Sequence, residues 1–248
     1  MIAVVTGASS GIGEATARRL AAEPGVRLVL VARREERLRA LAEECGGATV
    51  VAVDLTDDDA PARVREAIER EHDGRLDLLV NNAGRGGPRT TFAEAGWEGV
   101  RATMELNFDA QVRLTEALLP LLRASAPSAI VNVASTAGRV ARAETGSYSA
   151  SKFALVGWSD ALHLEEKPHG VHVALVLPGF IATEGFPQRQ LVDRRLTRWI
   201  VSTPERGAEA IVDAGLGRKP ERYVPRAYAL AGVLRVVAPR LVRRTLGG

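Results

Sequence analysis

The sequence predicts an α/β fold, with one doubly wound parallel sheet and helices on both faces, in a single domain that spans residues 1–248. Three observations favour this class. Short runs rich in Val, Ile and Leu alternate with longer helix-like segments, as in strand–helix–strand units. The runs are almost continuously apolar, which is typical of strands covered on both faces. A glycine-rich loop directly follows the first run.

The predicted elements alternate through most of the chain. The strands are Ile2–Val5, Leu28–Val31, Thr49–Val53, Leu76–Val80, Ile130–Val133, Val171–Leu177 and, on a weaker pattern, Arg222–Pro225. The helices are Ile12–Ala22, Arg34–Glu44, Ala60–His72, Gly99–Ala124, Tyr148–Lys167 and Pro204–Leu216. No internal repeat, low-complexity segment or linker divides the sequence, so we expect one domain.

The composition is that of a globular protein, with 46% hydrophobic and 25% charged residues. Cys45 is the only cysteine, so no disulfide within the chain is expected. We see no targeting signal and no apolar run of roughly 18 residues, and we therefore expect a cytoplasmic protein without a membrane span. The net charge of +3 is small and acidic residues accompany the arginines, so no nucleic-acid partner is expected. The histidines lack metal-ligand spacing, so no metal site is expected.

The glycine loop predicts a dinucleotide site. Gly7 permits a tight turn, Gly11 lets the backbone approach a pyrophosphate, and Gly13 allows close packing of helix on sheet. The spacing G-x-x-x-G-x-G differs from the common G-x-G-x-x-G, and a glycine loop alone also fits a flexible turn. Its position before a helix N-terminus favours anion binding in a Rossmann-like domain. The expected contacts are Gly7, Ser9, Ser10, Gly11, Ile12 and Gly13.

The end of the second predicted strand indicates which nucleotide binds. A site for NAD usually places an acidic residue there, to bind the ribose hydroxyls. This sequence has Arg33 and Arg34 instead, and guanidinium groups bind a 2′-phosphate well. We therefore expect NADP (NADPH) as the cofactor. The alternative is that both arginines only open a charged helix over Arg33–Arg39.

Three polar features follow central strands of the predicted sheet and suggest proton transfer. Asn81-Asn82-Ala83-Gly84 follows the fourth strand, Ser135 follows the fifth, and Tyr148-x-x-x-Lys152 opens a helix. A lysine one helical turn from a tyrosine can favour its phenolate, and a serine hydroxyl can orient a carbonyl. Tyr148 and Lys152 alone also fit an exposed helical pair. The small residues around Tyr148, and a lysine in an arginine-rich chain, favour the chemical interpretation.

Together these motifs resemble the short-chain dehydrogenase/reductase family, and they occur in that family's order between residues 6 and 183. The matching residues are Thr6-Gly7-Ala8-Ser9-Ser10-Gly11-Ile12-Gly13, Asp54-Leu55, Asn81-Asn82-Ala83-Gly84, Asn107, Ser135, Tyr148-x-x-x-Lys152 and Pro178-Gly179.

The resemblance implies roles that the residues alone do not reveal. The adenosine side of the cofactor would lie against Asp54, Leu55, Asn81, Ala83 and Gly84, and the nicotinamide end against Pro178, Gly179, Ile181 and Thr183. Asn107 would hold a water that links Lys152 to solvent, and would complete a catalytic set with Ser135 and Tyr148. The helices Gly99–Ala124 and Tyr148–Lys167 resemble those that pair subunits in the family, which implies a homodimer or homotetramer.

The resemblance weakens after Thr183. Residues 184–203 occupy the place of the family's substrate lid, although an amphipathic helix with a solvated basic face is the preferred alternative. The tail, residues 226–248, could cover the substrate mouth, pack on a second subunit or rest on a membrane surface. We expect covering or packing, because Pro239 interrupts the helix.

The predicted function is NADP(H)-dependent interconversion of a carbonyl and a secondary alcohol, by hydride transfer with Tyr148, Lys152, Ser135 and Asn107 moving the proton. One alternative is a regulatory protein that binds NADP without turnover. The other is a sugar-nucleotide epimerase or dehydratase, which would be expected to carry a larger C-terminal substrate domain. The substrate is a small molecule that the sequence does not identify.

Overall fold

Alternating strands and helices run through the computed structural model, which describes residues 1–86, 90–184 and 200–246. The strands are β1 (Ile2–Thr6), β2 (Arg27–Ala32), β3 (Thr49–Ala52), β4 (Leu78–Asn81), β5 (Ser128–Val133), β6 (Val171–Pro178), β7 (Phe180–Ile181), β8 (Val201–Ser202) and β9 (Glu221–Val224). The helices are α1 (Gly11–Ala21), α2 (Glu35–Glu44), α3 (Ala60–His72), α4 (Phe92–Met104), α5 (Ala110–Ala124), α6 (Gly146–Glu166), α7 (Pro204–Gly215), α8 (Ala229–Val237) and α9 (Pro239–Leu246).

The main sheet has the strand order β3-β2-β1-β4-β5-β6-β9, and each neighbouring pair is parallel. The chain begins in the middle at β1, runs outward to β3, and then returns to β4 on the other side of β1. Strand order therefore reverses between β1 and β4, which is where open α/β sheets bind ligands. The predicted fold class is confirmed, including the weakly predicted last strand.

Successive strand residues enter cores on opposite faces of the sheet. Val5 packs in a cluster that includes Leu20 of α1 and Ile211 of α7. Its neighbour Val4 packs in the other cluster, with Leu114 of α5. Both clusters are fully buried, so the unbroken apolar runs of the strands reflect helices on both faces.

The region predicted as one helix over Gly99–Ala124 is longer and interrupted. It begins at Phe92, where Thr91 and Glu94 form a reciprocal capping box. Gly96 leaves helical geometry with φ of +59°. Between α4 and α5 the chain forms one π-helical turn over Glu105–Asp109. Such turns often mark functional sites, and this one carries Asn107.

The C-terminal tail forms two short helices, as the predicted interruption at Pro239 requires. Pro239 is the first residue of α9, a position where its missing N–H costs no hydrogen bond. Most of the predicted lid, residues 185–199, lies outside the described residues. No helix in the described part of the chain combines the length and apolar character that crossing a membrane requires.

Candidate active site

The glycine loop is held against the segment that follows β4. The Thr6 hydroxyl accepts hydrogen bonds from the backbone N–H of Asn82 (2.9 Å) and Ala83 (3.0 Å). The Asn82 side chain in turn donates to the Thr6 carbonyl at 2.9 Å. A Cβ at Gly13 would overlap the Gly7 carbonyl oxygen, so only glycine fits this approach. The loop is therefore a rigid backbone cradle at the N-terminus of α1, as an anion site needs.

Two arginines after β2 lie beside this cradle. Arg34 donates to the Ser9 hydroxyl and to the Ser9 carbonyl, both at 3.1 Å. Arg33 pairs with Asp54, its Nη1 lying 3.3 Å from Oδ2. Burial raises the pKa of Asp54, but hydrogen bonds from Thr56 and the charge of Arg33 outweigh it and lower the value. The guanidinium groups are thus arranged around the loop rather than pointing away along α2.

A carboxylate already lies among these cations. Glu184 accepts two bonds from Arg37, at 2.5 and 3.2 Å, and one from Arg34 at 3.4 Å. The hydrogen bond from Arg37 lowers the pKa of Glu184, so this carboxyl is ionised at neutral pH. The contact joins the chain after β7 to α2.

Ser135 and Tyr148 meet beyond the carboxyl end of β5. Ser135 caps a short 3₁₀ turn by accepting from Ala137 N at 3.1 Å, and its hydroxyl donates to the Pro178 carbonyl at 3.3 Å. It also hydrogen bonds the Tyr148 side chain. Burial raises the pKa of Tyr148, while the Ser135 bond and the charge of Arg142 act in the opposite direction. The Tyr148 hydroxyl is therefore protonated at neutral pH and can donate its proton.

Lys152 lies one turn further along α6 and is buried, with 4% of its surface exposed. Its Nζ donates to the Val133 carbonyl at 2.9 Å. Burial lowers the pKa of Lys152 to about 8. The expected effect of Lys152 on the Tyr148 phenolate stays a prediction.

Asn107 is buried in the π turn and holds the chain that follows β4. Its amide accepts from Arg85 N at 2.8 Å and donates to Arg85 O at 2.8 Å. It also donates to the Ser151 hydroxyl at 3.1 Å. A Cβ at Gly84 would lie 3.1 Å from Asn107 Oδ1 and 3.6 Å from Lys152 Nζ, so these groups surround one glycine.

One cavity of about 830 Å³ joins the glycine loop, the arginines and the Ser135–Tyr148 pair. Comparison with known proteins gives the same picture. Residues 1–191 match the family model for short chain dehydrogenase. The chain belongs to the short-chain dehydrogenase family.

Individual proteins that are similar to this chain support the family assignment. A Streptomyces coelicolor protein that carries the provisional name ketoacyl reductase is 39% identical over 214 residues, covering 82% of this chain and 78% of that protein. The 3-ketodihydrosphingosine reductase of Bacteroides thetaiotaomicron is 38% identical over 181 residues, covering 72% and 63%. The crystal structure of a short-chain dehydrogenase from Streptomyces avermitilis superposes with a TM-score of 0.82 at 31% identity, covering 98% of this chain and 96% of that one.

Most of the predicted site residues of this short-chain dehydrogenase line the one cavity. They are Gly7, Ser9, Ser10, Gly11, Ile12, Arg33, Arg34, Asp54, Leu55, Ala83, Gly84, Ser135, Tyr148, Lys152, Pro178, Gly179, Ile181 and Thr183. Gly13, Asn81 and Asn107 lie outside its walls. Gly13 packs under the loop, and Asn107 acts through Arg85, as described above.

The side chain of Asn81 does not face the cavity, a correction to the expected contact with the adenosine side. Its amide donates to the Thr115 hydroxyl and to Asn132 Oδ1, both at 2.9 Å. Alternation along β4 places Asn81 on the face that packs against α5, whereas Asn82 begins the loop. Asn81 therefore joins β4, β5 and α5 in a buried polar network behind the site.

Several cavity residues of this short-chain dehydrogenase were not predicted. Asn82 stood within the quoted motif, and its role in bracing the glycine loop is visible only in the structure. Others include Leu106, which lies within the predicted helix Gly99–Ala124, and Arg85, Arg142 and Phe180, which lie outside the predicted elements. The Arg142 guanidinium lies 4.8 Å from the centre of the Phe180 ring. In the described ranges, no group of three His, Cys, Asp or Glu side chains could hold a metal ion.

Proposed function

We propose that the chain is an NADP(H)-dependent oxidoreductase that interconverts a carbonyl and a secondary alcohol. The observation that carries the proposal is the pairing of the Tyr148 hydroxyl with Ser135 in the same cavity as the glycine loop. A protonated phenol beside a hydroxyl donor suits a reaction in which negative charge develops on a carbonyl oxygen.

The residues present fit a nicotinamide dinucleotide. Gly13 and Gly7 approach each other too closely for any side chain, which leaves the backbone open to a pyrophosphate. Arg33 and Arg34 would hold the 2′-phosphate of NADP, since both line the cavity and both present guanidinium groups. When bound, the cofactor supplies or accepts the hydride.

In the proposed reduction, Ser135 binds the substrate oxygen. Its hydroxyl now donates to the Pro178 carbonyl over a long 3.3 Å contact, and a substrate carbonyl would be a better acceptor. Tyr148 then donates its proton to the same oxygen. Lys152, whose ammonium is held in the cavity by Val133, would bind ribose hydroxyls and raise the local positive charge. Asn107 would keep the chain near Lys152 in place for a proton relay to solvent.

The substrate is proposed to be a small ketone or secondary alcohol. The relatives described above are named for reducing keto groups on larger skeletons. The cavity wall includes Phe180, Leu106 and Arg142, two apolar side chains and one cation. This combination favours a carbonyl compound with an apolar body.

We further propose a homodimer or homotetramer formed through α4, α5 and α6. Large apolar side chains are exposed on α4 and α6, namely Phe92, Trp97, Phe153 and Leu164. Exposed apolar surface of this kind is typical of subunit contacts.

The test is turnover by wild-type protein and by Tyr148→Phe, with NADPH and a panel of ketones and secondary alcohols. We expect Tyr148→Phe to reduce kcat by at least about a thousandfold while the NADPH dissociation constant stays unchanged, because the phenol moves a proton and does not anchor the cofactor. Ser147→Ala, next to it on α6, is the matched control and is expected to keep its activity.

Two results would contradict the proposal in different ways. Turnover retained in Tyr148→Phe would remove Tyr148 from the chemistry. NADPH binding with no turnover by wild-type protein on any member of the panel would favour the alternative, a regulatory protein that senses the nucleotide.

A further inference from the structure

An apolar face is exposed on α8, in the C-terminal tail. Leu230, Val233, Leu234 and Val237 recur at the i, i+3, i+4 and i+7 spacing that places side chains on one side of a helix. Of their surfaces, 66%, 57%, 46% and 70% are exposed, in the same order. Apolar side chains at this spacing are normally buried, so this face is built for a contact with something outside the described chain.

The opposite side of α8 is the one that packs on the domain. A Cβ at Gly232 would lie 3.6 Å from Arg139 Cβ and 3.6 Å from the Tyr223 hydroxyl, so the helix approaches the body of the protein there. Gly232 is about half a turn away from the apolar face. The exposure of that face is therefore a consequence of how α8 is seated, because a rotation that buried it would expose the close-packed side.

The charged residues of the tail have one sign. From residue 226 to residue 248 the sequence contains five arginines and no Asp or Glu. Arg240, Arg243 and Arg244 share one side of α9, at the i, i+3 and i+4 spacing, and all three are exposed. The tail thus combines an apolar face with a concentration of guanidinium groups.

We propose that the tail docks on an anionic membrane surface, in place of the covering or packing expected from the break at Pro239. The apolar face of α8 would lie in the interface and the arginines of α9 against lipid phosphates and carboxylates. Amphipathic helices with basic residues bind membranes in this way, lying on the bilayer rather than crossing it. A symmetric contact with a second copy is less favourable, because it would bring two arginine-rich tails together without a counter-charge.

The tail also contacts the cavity wall. Tyr228, the residue before α8, packs its ring against Phe180 with centroids 6.4 Å apart, and Phe180 lines the cavity. The inference about docking does not depend on the proposed activity, since it rests on the tail alone.

The test is co-sedimentation of the full chain, without cofactor, with vesicles of phosphatidylcholine and with vesicles that contain about one-third phosphatidylglycerol. We expect binding to the anionic vesicles only, weakening as salt is added. Arg240→Gln/Arg243→Gln/Arg244→Gln should reduce the vesicle affinity by about a hundredfold, since each cation near an anionic surface contributes about fivefold. Leu230→Gln/Val233→Gln/Val237→Gln should reduce it by at least about tenfold.

The matched control is Arg39→Gln/Arg65→Gln/Arg70→Gln, which removes the same charge from exposed positions on α2 and α3. It should leave vesicle binding nearly unchanged, and all variants should keep the wild-type unfolding temperature because the altered side chains are exposed. Equal loss in the control would overturn the proposal, since net charge alone would then explain binding. Absence of wild-type binding to anionic vesicles at low salt would overturn it too. If the apolar variant then also converted a dimer to a monomer in light scattering, the face would be a subunit contact.

Discussion

The two ends of the cavity hold positive charge in opposite ways. At the end near Tyr148, Lys152 is 4% exposed and donates a hydrogen bond to the uncharged Val133 carbonyl, so burial dominates and lowers the pKa of Lys152 to about 8. At the other end, Arg33 has 72% of its side chain exposed and pairs loosely with Asp54. A buried charge is costly and sensitive to its surroundings, whereas exposed charges contribute small, salt-screened increments. Substitutions at the two ends should therefore differ in both size and kind.

The largest effect is expected at Lys152, in the free energy of unfolding of the protein without cofactor. Its folded pKa of about 8 lies below the ordinary value of 10.5, so the unfolded chain binds the proton more tightly. Below pH 8 both states are protonated and the folded state bears the full cost of burial. As the pH rises from 8 to 10.5 the folded state loses its proton first, and that cost disappears.

Relative to Lys152→Met, the wild-type free energy of unfolding should therefore increase by about 3 kcal/mol between pH 8 and pH 10.5. Denaturant titrations at a series of pH values measure this difference. Lys167→Met, at an exposed position, is the control and should show a flat difference across the same range. A flat difference for Lys152→Met as well would mean that the ammonium is better solvated than its burial indicates. Turnover should be lost in Lys152→Met at every pH.

The second effect concerns the exposed end, where the proposed NADP preference is tested. Arg33→Ala/Arg34→Ala should weaken NADPH binding relative to NADH by about tenfold to a hundredfold, since hydrogen bonds between charged groups are lost. The ratio of the two dissociation constants is the measure, because Arg34 also contacts Ser9 and its removal can loosen the loop for both cofactors. Nicotinamide fluorescence titrations give both constants.

Arg39→Ala is the matched control, since Arg39 lies on α2, which directly follows the two arginines, and pairs only with Glu35 among the described residues. Its cofactor ratio should equal that of wild type. Equal affinity of wild-type protein for NADH and NADPH would contradict the preference outright, and the arginines would then be a charged start of α2, as the alternative interpretation held.

Some features of the fold and of the site could be predicted from the sequence, and others could not. The strands and the glycine loop could be predicted from the pattern of apolar residues and from residue type. A buried parallel strand must be apolar, and a backbone cradle must lack side chains. The direction in which a side chain points could not be predicted in the same way. Asn81 and Asn82 are adjacent letters of one motif, yet one faces a buried network and the other braces the loop. Only the register of β4 in the sheet separates them.

Site residues in irregular segments were also missed by the sequence analysis. Arg142 enters the cavity from a stretch that has neither helical nor strand period, so nothing in the sequence placed it in the site. The start of α4 was missed for a different reason, because Gly96 argues against a helix. The Thr91–Glu94 capping box was a usable signal for that start.

The smallest expected effect is at Glu184, where a substitution should change the affinity of the exposed end for NADPH without removing its arginines. Its carboxylate contacts Arg34 and Arg37 and is held ionised by them, so it offers negative charge to the same cations that would bind a 2′-phosphate. Glu184→Gln should therefore strengthen NADPH binding by about threefold and leave NADH binding unchanged, with the gain shrinking as salt is added.

Glu69→Gln is the matched control, because Glu69 is an exposed carboxylate that pairs with Arg65 away from the cavity. Its NADPH affinity should match wild type. The sign of the Glu184→Gln result separates two physical accounts. Tighter binding means that the carboxylate competes with the phosphate for the arginines. Weaker binding means that Glu184 holds Arg34 in the position that the phosphate needs, so that the loss of an ordering contact outweighs the loss of a competing charge.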